Sequence, residues 1–171
     1  MDQELVERAR TLLDLCRTKG LTIAAAESCT GGLLAATLTE IAGSSDVFER
    51  GFVTYSNEAK QAMVGVTSAT LASYGAVSRE TAEAMASGAL AHAPVDLAVS
   101  ITGIAGPGGA VPGKPVGLVH FAAASRAGRL IARERNYGDI GRTQGRRASV
   151  IEALAMLHDH AITEAAPAVL C

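Results

Sequence analysis

Ser28 and Cys29 set a hydroxyl and a thiol side by side, with the carboxylate of Glu27 before them and Thr30, Gly31 and Gly32 after. The group follows a short apolar run, Leu21 to Ala25, and precedes a helix-like run, Leu33 to Ile41. A strand-to-helix junction offers free N–H groups and a partial positive charge, a setting that holds anions. Glycines there let a ligand approach the backbone closely. Ser28 has two readings in this position. One is a helix-capping hydroxyl. The other is a nucleophile, which needs a base within hydrogen-bond reach and donors for a developing oxyanion. The N–H groups of Cys29 to Gly31 are the candidate donors. Cys29 competes for the role, because a helix N-terminus favours a thiolate. A cysteine amidase needs a histidine, however, and none of His92, His120, His158 and His160 falls in a segment suited to meet this one. Cys29 therefore reads as a packing residue beside Ser28. Glu27 suits anchoring of the loop, through accepted backbone N–H bonds, better than proton transfer.

A base is offered by Lys60, five positions after Tyr55 across a strand end and a first helical turn. Lysine in water holds its proton to about pH 10.4, but burial lowers that value and makes the neutral amine a usable base. The tyrosine could then orient or relay the proton. The plain alternative is a solvated helix lysine and a half-buried tyrosine. A third segment, Thr102-Gly-Ile-Ala-Gly-Pro-Gly-Gly109, opens a 13-residue Gly/Pro loop, Gly103 to Pro115. A loop of that length in a compact chain is more often functional or disordered than neutral. Gly108 to Lys114 nearly spells a phosphate-binding P-loop, but Pro115 removes the required hydroxyl and a strand, not a helix, follows. The loop also fails the spacing of the dinucleotide glycine pattern. It reads instead as a substrate loop at the carboxyl end of a strand. Arg142, Arg146 and Arg147 open the last helix. Positive charge is unfavourable at that end, and a bound anion, best a phosphate, would explain it.

Elements must bring these segments together. Asp2 caps a first helix whose apolar residues Leu5, Val6, Ala9, Leu12, Leu13 and Cys16 recur at helical spacing, ending at Lys19-Gly20. Leu21 to Ala26 reads as a buried strand and Thr30 to Ile41 as a helix. Phe48 to Tyr55 is a second strand, followed by short helices over Glu58 to Val64 and Ser68 to Tyr74. A helix from Ser78 to about His92 leads to a third strand, Leu97 to Ile101. Val116 to Ala124 and Leu130 to Tyr137 form a hairpin, and Gly141 to about His160 is the last helix, before an Ala-rich tail. Helices and strands alternate early and a hairpin comes late. The expectation is an α/β fold: a three-layer α/β/α arrangement with a mixed, mostly parallel central sheet.

The chain has 171 residues, 49% hydrophobic and 19% charged, which suits one domain, 1–171, with a core over about 5–160 and a tail over 161–171. Aromatics are 4% with no Trp, so the core is built from Ala, Val, Leu and Ile and suits close helix–sheet layers. A net charge of −2 argues against a general nucleic-acid binder. Three cysteines, Cys16, Cys29 and Cys171, give neither a disulfide framework nor a zinc motif. The polar N-terminus is no signal peptide, no stretch reads as a membrane span, and a cytoplasmic location is expected. No metal or other cofactor is expected. The apolar first helix is a candidate face for a homo-oligomer.

Ala26-Glu-Ser-Cys-Thr-Gly-Gly32, Tyr55-Ser-Asn-Glu-Ala-Lys60 and Thr102 to Gly109, in this order and spacing, resemble the CinA C-terminal domain family from about Leu5 to His160. Characterised members of that family are nicotinamide mononucleotide amidases. The resemblance implies hydrolysis of the carboxamide of a nucleotide substrate by a Ser–Tyr–Lys set, here Ser28, Tyr55 and Lys60. It implies a nucleotide pocket that includes Glu27, Cys29, Thr30, Gly31, Gly32, Asn57, Thr102, Gly103, Gly106, Gly108 and Gly109. The family usually shows Gly-Asp-Arg with a second arginine four residues on. Here the stretch is Gly138-Asp-Ile-Gly-Arg142, two positions late, with Arg146 keeping the gap. Arg142 is favoured as the phosphate ligand. Larger members carry a separate domain before this one, so the chain reads as a stand-alone form.

Overall fold

The computed structural model describes residues 1–167. Cys171 and the end of the tail lie outside the described residues. Six α-helices, one 3-10 turn and five strands follow in the order α1 (Gln3–Lys19), β1 (Ile23–Glu27), α2 (Leu33–Thr39), the 3-10 turn (Ser44–Asp46), β2 (Phe48–Val53), α3 (Asn57–Val64), α4 (Ser68–Tyr74), α5 (Arg79–His92), β3 (Leu97–Gly103), β4 (Leu118–Ser125), β5 (Leu130–Asn136) and α6 (Arg142–Thr163). The strands make one sheet in the order β2-β1-β3-β4-β5. β1 is parallel to both β2 and β3, and β3–β4 and β4–β5 are antiparallel. Four strands therefore share one direction and β4 runs against them, with the expected late hairpin at β4–β5.

Strand alternation divides the core into two faces. Ile23 and Ala25 of β1, Leu97, Val99 and Ile101 of β3, and Val119, Phe121 and Ala123 of β4 pack with α1, α2 and α6. Ala26 and Ala98 pack with Val64 of α3 and Met85 and Ala89 of α5, and Ala122 and Ala124 with Ala82 and Ala86 of α5. That second face is nearly all alanine, so α5 lies close on the sheet. The closeness extends to α3: a Cβ at Gly88 of α5 would stand 1.7 Å from the Val64 carbonyl oxygen. Only glycine permits this contact, which sets the height of α3 and hence of Lys60.

Caps fix most helix starts. Asp2 accepts the Leu5 N–H, Ser56 the Ala59 N–H, Thr67 the Thr70 N–H and Ser78 the Thr81 N–H. Element boundaries near the site depart from expectation. The helix expected from Thr30 starts at Leu33, because Gly31 and Gly32 take φ of +57° and +96°, outside helical backbone. β2 ends at Val53 rather than Tyr55, since the chain must turn to reach the Ser56 cap.

Candidate active site

β1, β2 and β3 end on the same edge of the sheet, and connections leave β1 and β3 in opposite directions. Ligands of open α/β sheets lie at such a switch point, beyond the carboxyl ends of the strands. A cavity of about 280 Å³ opens there, lined by Ser28 and Cys29 after β1, Tyr55, Asn57 and Lys60 after β2, Ala76 and Val77 before α5, Thr102 and Gly103 at the end of β3, Ile104 to Gly106, Gly108 and Gly109 after it, and Arg142 of α6. Its volume is at the lower end of the range for small-molecule sites. A larger surface hollow near His92 to Asp96 holds Arg126, but that guanidinium is spent on the carbonyls of Leu90, Ala93 and Val95. The strand-end cavity brings Ser28, Cys29 and Lys60 to one wall.

Lys60 is 1% exposed. Its Nζ donates to the Thr54 carbonyl at 2.9 Å and to Ser28 Oγ at 3.0 Å. No carboxylate pairs with it among the described residues. Burial pushes its pKa below the ordinary 10.5, and Cys29 acts weakly in the opposite sense. With the amine neutral, one N–H remains on Thr54 and the lone pair faces the serine hydroxyl. That distance and direction meet what a nucleophile requires of its base. Cys29 is buried and its pKa is pushed up to about 11, first by burial and then by Glu27. No histidine lines the cavity. A thiol with a raised pKa and no hydrogen-bonded base among the described residues stays protonated near neutral pH.

The turn after β1 explains the role of Glu27. Its carboxylate, 1% exposed, accepts N–H groups from Gly32 (3.1 Å), Leu34 (3.0 Å) and Ala35 (2.9 Å). It thus caps α2 from within the preceding strand, in place of a side-chain cap at Gly32, which is absent. The expected anchoring role is what the hydrogen bonds show, and Glu27 does not line the cavity. Thr30, Gly31 and Gly32 do not line it either; they shape the turn. Ser28 N–H donates to the Ile101 carbonyl and Gly31 N–H to the Ser28 carbonyl. Gly31 is therefore not available as an oxyanion donor, whereas the N–H groups of Cys29 and Thr30 have no backbone partner among the described residues.

Tyr55 departs from expectation. It is 59% exposed, and its hydroxyl accepts from Arg142 Nη2 at 2.9 Å. It makes no hydrogen bond with Ser28 or Lys60, so the expected relay is absent from this arrangement. Arg142 also donates to the Gly106 carbonyl at 3.1 Å and so ties α6 to the glycine loop. Of the three arginines, Arg142 alone lines the cavity. Arg147 is paired with Asp2 and Glu4 of α1, and Arg146 donates to the Thr30 carbonyl at 2.7 Å. The expected loop residues Thr102, Gly103, Gly106, Gly108 and Gly109 all line the cavity. Thr102 Oγ1 donates to the Ala76 carbonyl at 2.6 Å, which draws the turn before α5 in as a wall. Ala76 and Val77 were not foreseen, because an apolar pair in a turn carries no chemical signature. Among the described residues no group of His, Cys, Asp and Glu is placed to hold a metal ion, and no helix is long and apolar enough to cross a membrane.

Comparison with known proteins places the chain among relatives. The chain is 50% identical over 157 residues to the nicotinamide-nucleotide amidohydrolase PncC of Escherichia coli (strain K12), which covers 91% of this chain and 94% of that protein. It is 50% identical over 149 residues to a CinA-like protein of Geobacter sulfurreducens, of which the match spans 36%. Among solved structures, the competence/damage inducible protein CihA from Agrobacterium tumefaciens superposes with a TM-score of 0.90 at 54% identity, over 92% of this chain and 95% of that one. A competence or damage-inducible protein from Enterobacter asburiae gives 0.86 at 31% identity, over 92% and 98%. The description of the CinA C-terminal domain matches residues 6–161; the chain belongs to the CinA C-terminal domain family.

Proposed function

We propose that this chain is an amidase that hydrolyses the carboxamide of nicotinamide mononucleotide to nicotinic acid mononucleotide and ammonia. The observation that carries the reading is the buried Lys60 amine 3.0 Å from Ser28 Oγ at the wall of the strand-end cavity. The substrate is inferred from the likeness to the Escherichia coli enzyme. Ser28 Oγ attacks the carboxamide carbon as its proton passes to Lys60 Nζ. The oxyanion is received by the N–H group of Cys29, which lines the cavity and has no backbone partner, with the Thr30 N–H next to it in the turn as the second donor. Lys60 returns the proton to the leaving nitrogen, ammonia departs, and an ester on Ser28 remains. Water, deprotonated by the same amine, then releases the acid and restores the serine.

Arg142 holds the substrate phosphate, and Tyr55 orients Arg142 through its hydroxyl rather than relaying a proton. The glycine loop and the Ala76–Val77 turn enclose the nucleoside. The chemistry calls on no metal. Ammonia release over a panel of nicotinamide mononucleotide, its riboside, free nicotinamide and unrelated small amides tests the reading. The nucleotide is the expected best substrate. Release from another amide with none from the nucleotide would assign a different substrate, and tight nucleotide binding without turnover would assign a non-catalytic binding module.

A further inference from the structure

Arg146 and Arg147 are neighbours on α6 with opposite surroundings. Arg147 is at the surface and paired with two carboxylates, Asp2 and Glu4. Arg146 has no carboxylate partner among the described residues. Its Nε is buried with no hydrogen-bond partner, and its one hydrogen bond is the 2.7 Å contact from Nη2 to the Thr30 carbonyl, 116 positions away in sequence. Arg146 is half-buried, and withdrawing even its Nε from water without a counter-charge is costly, so the contact it makes in return is informative. Arg146 does not reach the substrate cavity. It borders instead a closed space of about 10 Å³ behind the turn, with Cys29, Gly141 and Gly145. The Gly31 α-carbon faces it as well, since a Cβ there would stand 3.9 Å from Nη2.

The peptide unit that Arg146 grips has a second function. Its carbonyl belongs to Thr30 and its N–H to Gly31, and that N–H donates to the Ser28 carbonyl at 3.0 Å. This bond closes the turn and leaves the Cys29 and Thr30 N–H groups without a backbone acceptor among the described residues. The Glu27 carboxylate secures the far side of the same turn. We propose that Arg146 is a positioning residue for the amidase reaction: by holding the Thr30–Gly31 peptide from behind, it aims the Cys29 and Thr30 N–H groups at the developing oxyanion and adds positive charge behind them. The proposal rests on the Ser28–Lys60 reading and on that pair of donors. It gives Arg146 a role in kcat and leaves phosphate recognition to Arg142.

The test compares Arg146→Met, Arg146→Lys and Arg147→Met in ammonia-release kinetics on the mononucleotide and its riboside. Misplacing an oxyanion donor by a fraction of an ångström to 1 Å costs up to about 100-fold, and losing one costs about 100- to 1000-fold. Arg146→Met is expected to lower kcat about 10- to 100-fold on both substrates with KM changed by less than about threefold. Arg146→Lys, which keeps the charge and a donor for the carbonyl, is expected to recover most of the loss. Arg147→Met is expected to keep the parent kcat. A rise in KM on the nucleotide alone would make Arg146 a phosphate ligand and overturn the proposal. So would an unchanged kcat, or a loss that Arg146→Lys does not relieve. If Arg146→Met fails to fold, kcat and KM of Arg146→Lys and of Arg146→Gln decide by the same criteria. Ser28→Ala is run beside them: retained turnover there would defeat the underlying mechanism, whatever Arg146 does.

Discussion

Glu27→Gln isolates the contribution of one buried carboxylate to the nucleophile turn. The swap conserves shape and removes one charge and one acceptor. Glu27 Oε2 receives the Gly32 and Leu34 N–H groups and Oε1 the Ala35 N–H. Glutamine has a single acceptor oxygen, so placing it on the first pair turns its NH2 toward the Ala35 donor. Hydrogen bonds to a charged group contribute about 1.5–3 kcal/mol and neutral ones about 0.5–1.5 kcal/mol. Two bonds thus weaken by about 1 kcal/mol each and the third is lost, a total of about 3.5–5 kcal/mol. At about 2–4 °C per kcal/mol for a chain of this size, Tm should fall by about 7–20 °C in differential scanning calorimetry. Glu58→Gln, on the exposed first turn of α3, is the comparison and should shift Tm by no more than about 2 °C. A Tm for Glu27→Gln within 2 °C of the parent would refute the reasoning, because it would mean that the three N–H groups find equivalent partners without the charge.

Ser28→Ala should abolish ammonia release while Cys29→Ala keeps most of it; the reverse pattern would transfer the nucleophile to the thiol. For Lys60, kcat/KM should rise with pH through a midpoint below 10.5, the direction set by its burial, and Lys60→Arg, which stays protonated, should be nearly as inactive as Lys60→Ala. Because the folded chain holds Lys60 less protonated than the unfolded chain does, unfolding free energy should climb with pH between the two pKa values, and urea titrations of Lys60→Met should show a smaller climb. Arg142→Ala should cost about 10- to 150-fold in kcat/KM on the nucleotide, the equivalent of about 1.5–3 kcal/mol for a charge-assisted phosphate contact. The loss should largely vanish on the riboside, and an equal loss on both substrates would remove Arg142 from phosphate recognition.

The layered fold could be read from alternation and caps because those signals are local. Asp2, Ser56, Thr67 and Ser78 each bond an N–H three residues on, so their function is complete within one turn. The late start of α2 lies where the apolar run itself begins, at Leu33; Thr30 suits a helix start by type, but Gly31 and Gly32 adopt positive φ. The side chains of the site were harder to read in proportion to the sequence distance of their partners. Lys60 reads as an ordinary helix lysine until α5 and the β1 turn enclose it. The contact of Tyr55 with Arg142 crosses 87 positions, and no pattern around either residue announces it. The three arginines of α6 look alike in sequence and are separated only by what lies opposite each one.

The order of the sheet also bears on how the protein becomes active during synthesis. β1 pairs with β2 soon after both exist, but its other neighbour, β3, begins at Leu97. The face of α1 stays open until α6 supplies Val150, Ala153, Leu154 and Leu157 to the same cluster. Chains emerge at about 5–20 residues per second, so Ser28 and Lys60 leave the ribosome several seconds before Arg142 and Arg146. A nascent chain stalled before α6 carries Ser28 and Lys60, the proposed nucleophile and base, but neither Arg146 behind the turn nor Arg142 at the cavity. Catalytic competence therefore arrives with the last helix, and turnover by a ribosome-released chain reports completion of the whole fold rather than of the segment that does the chemistry.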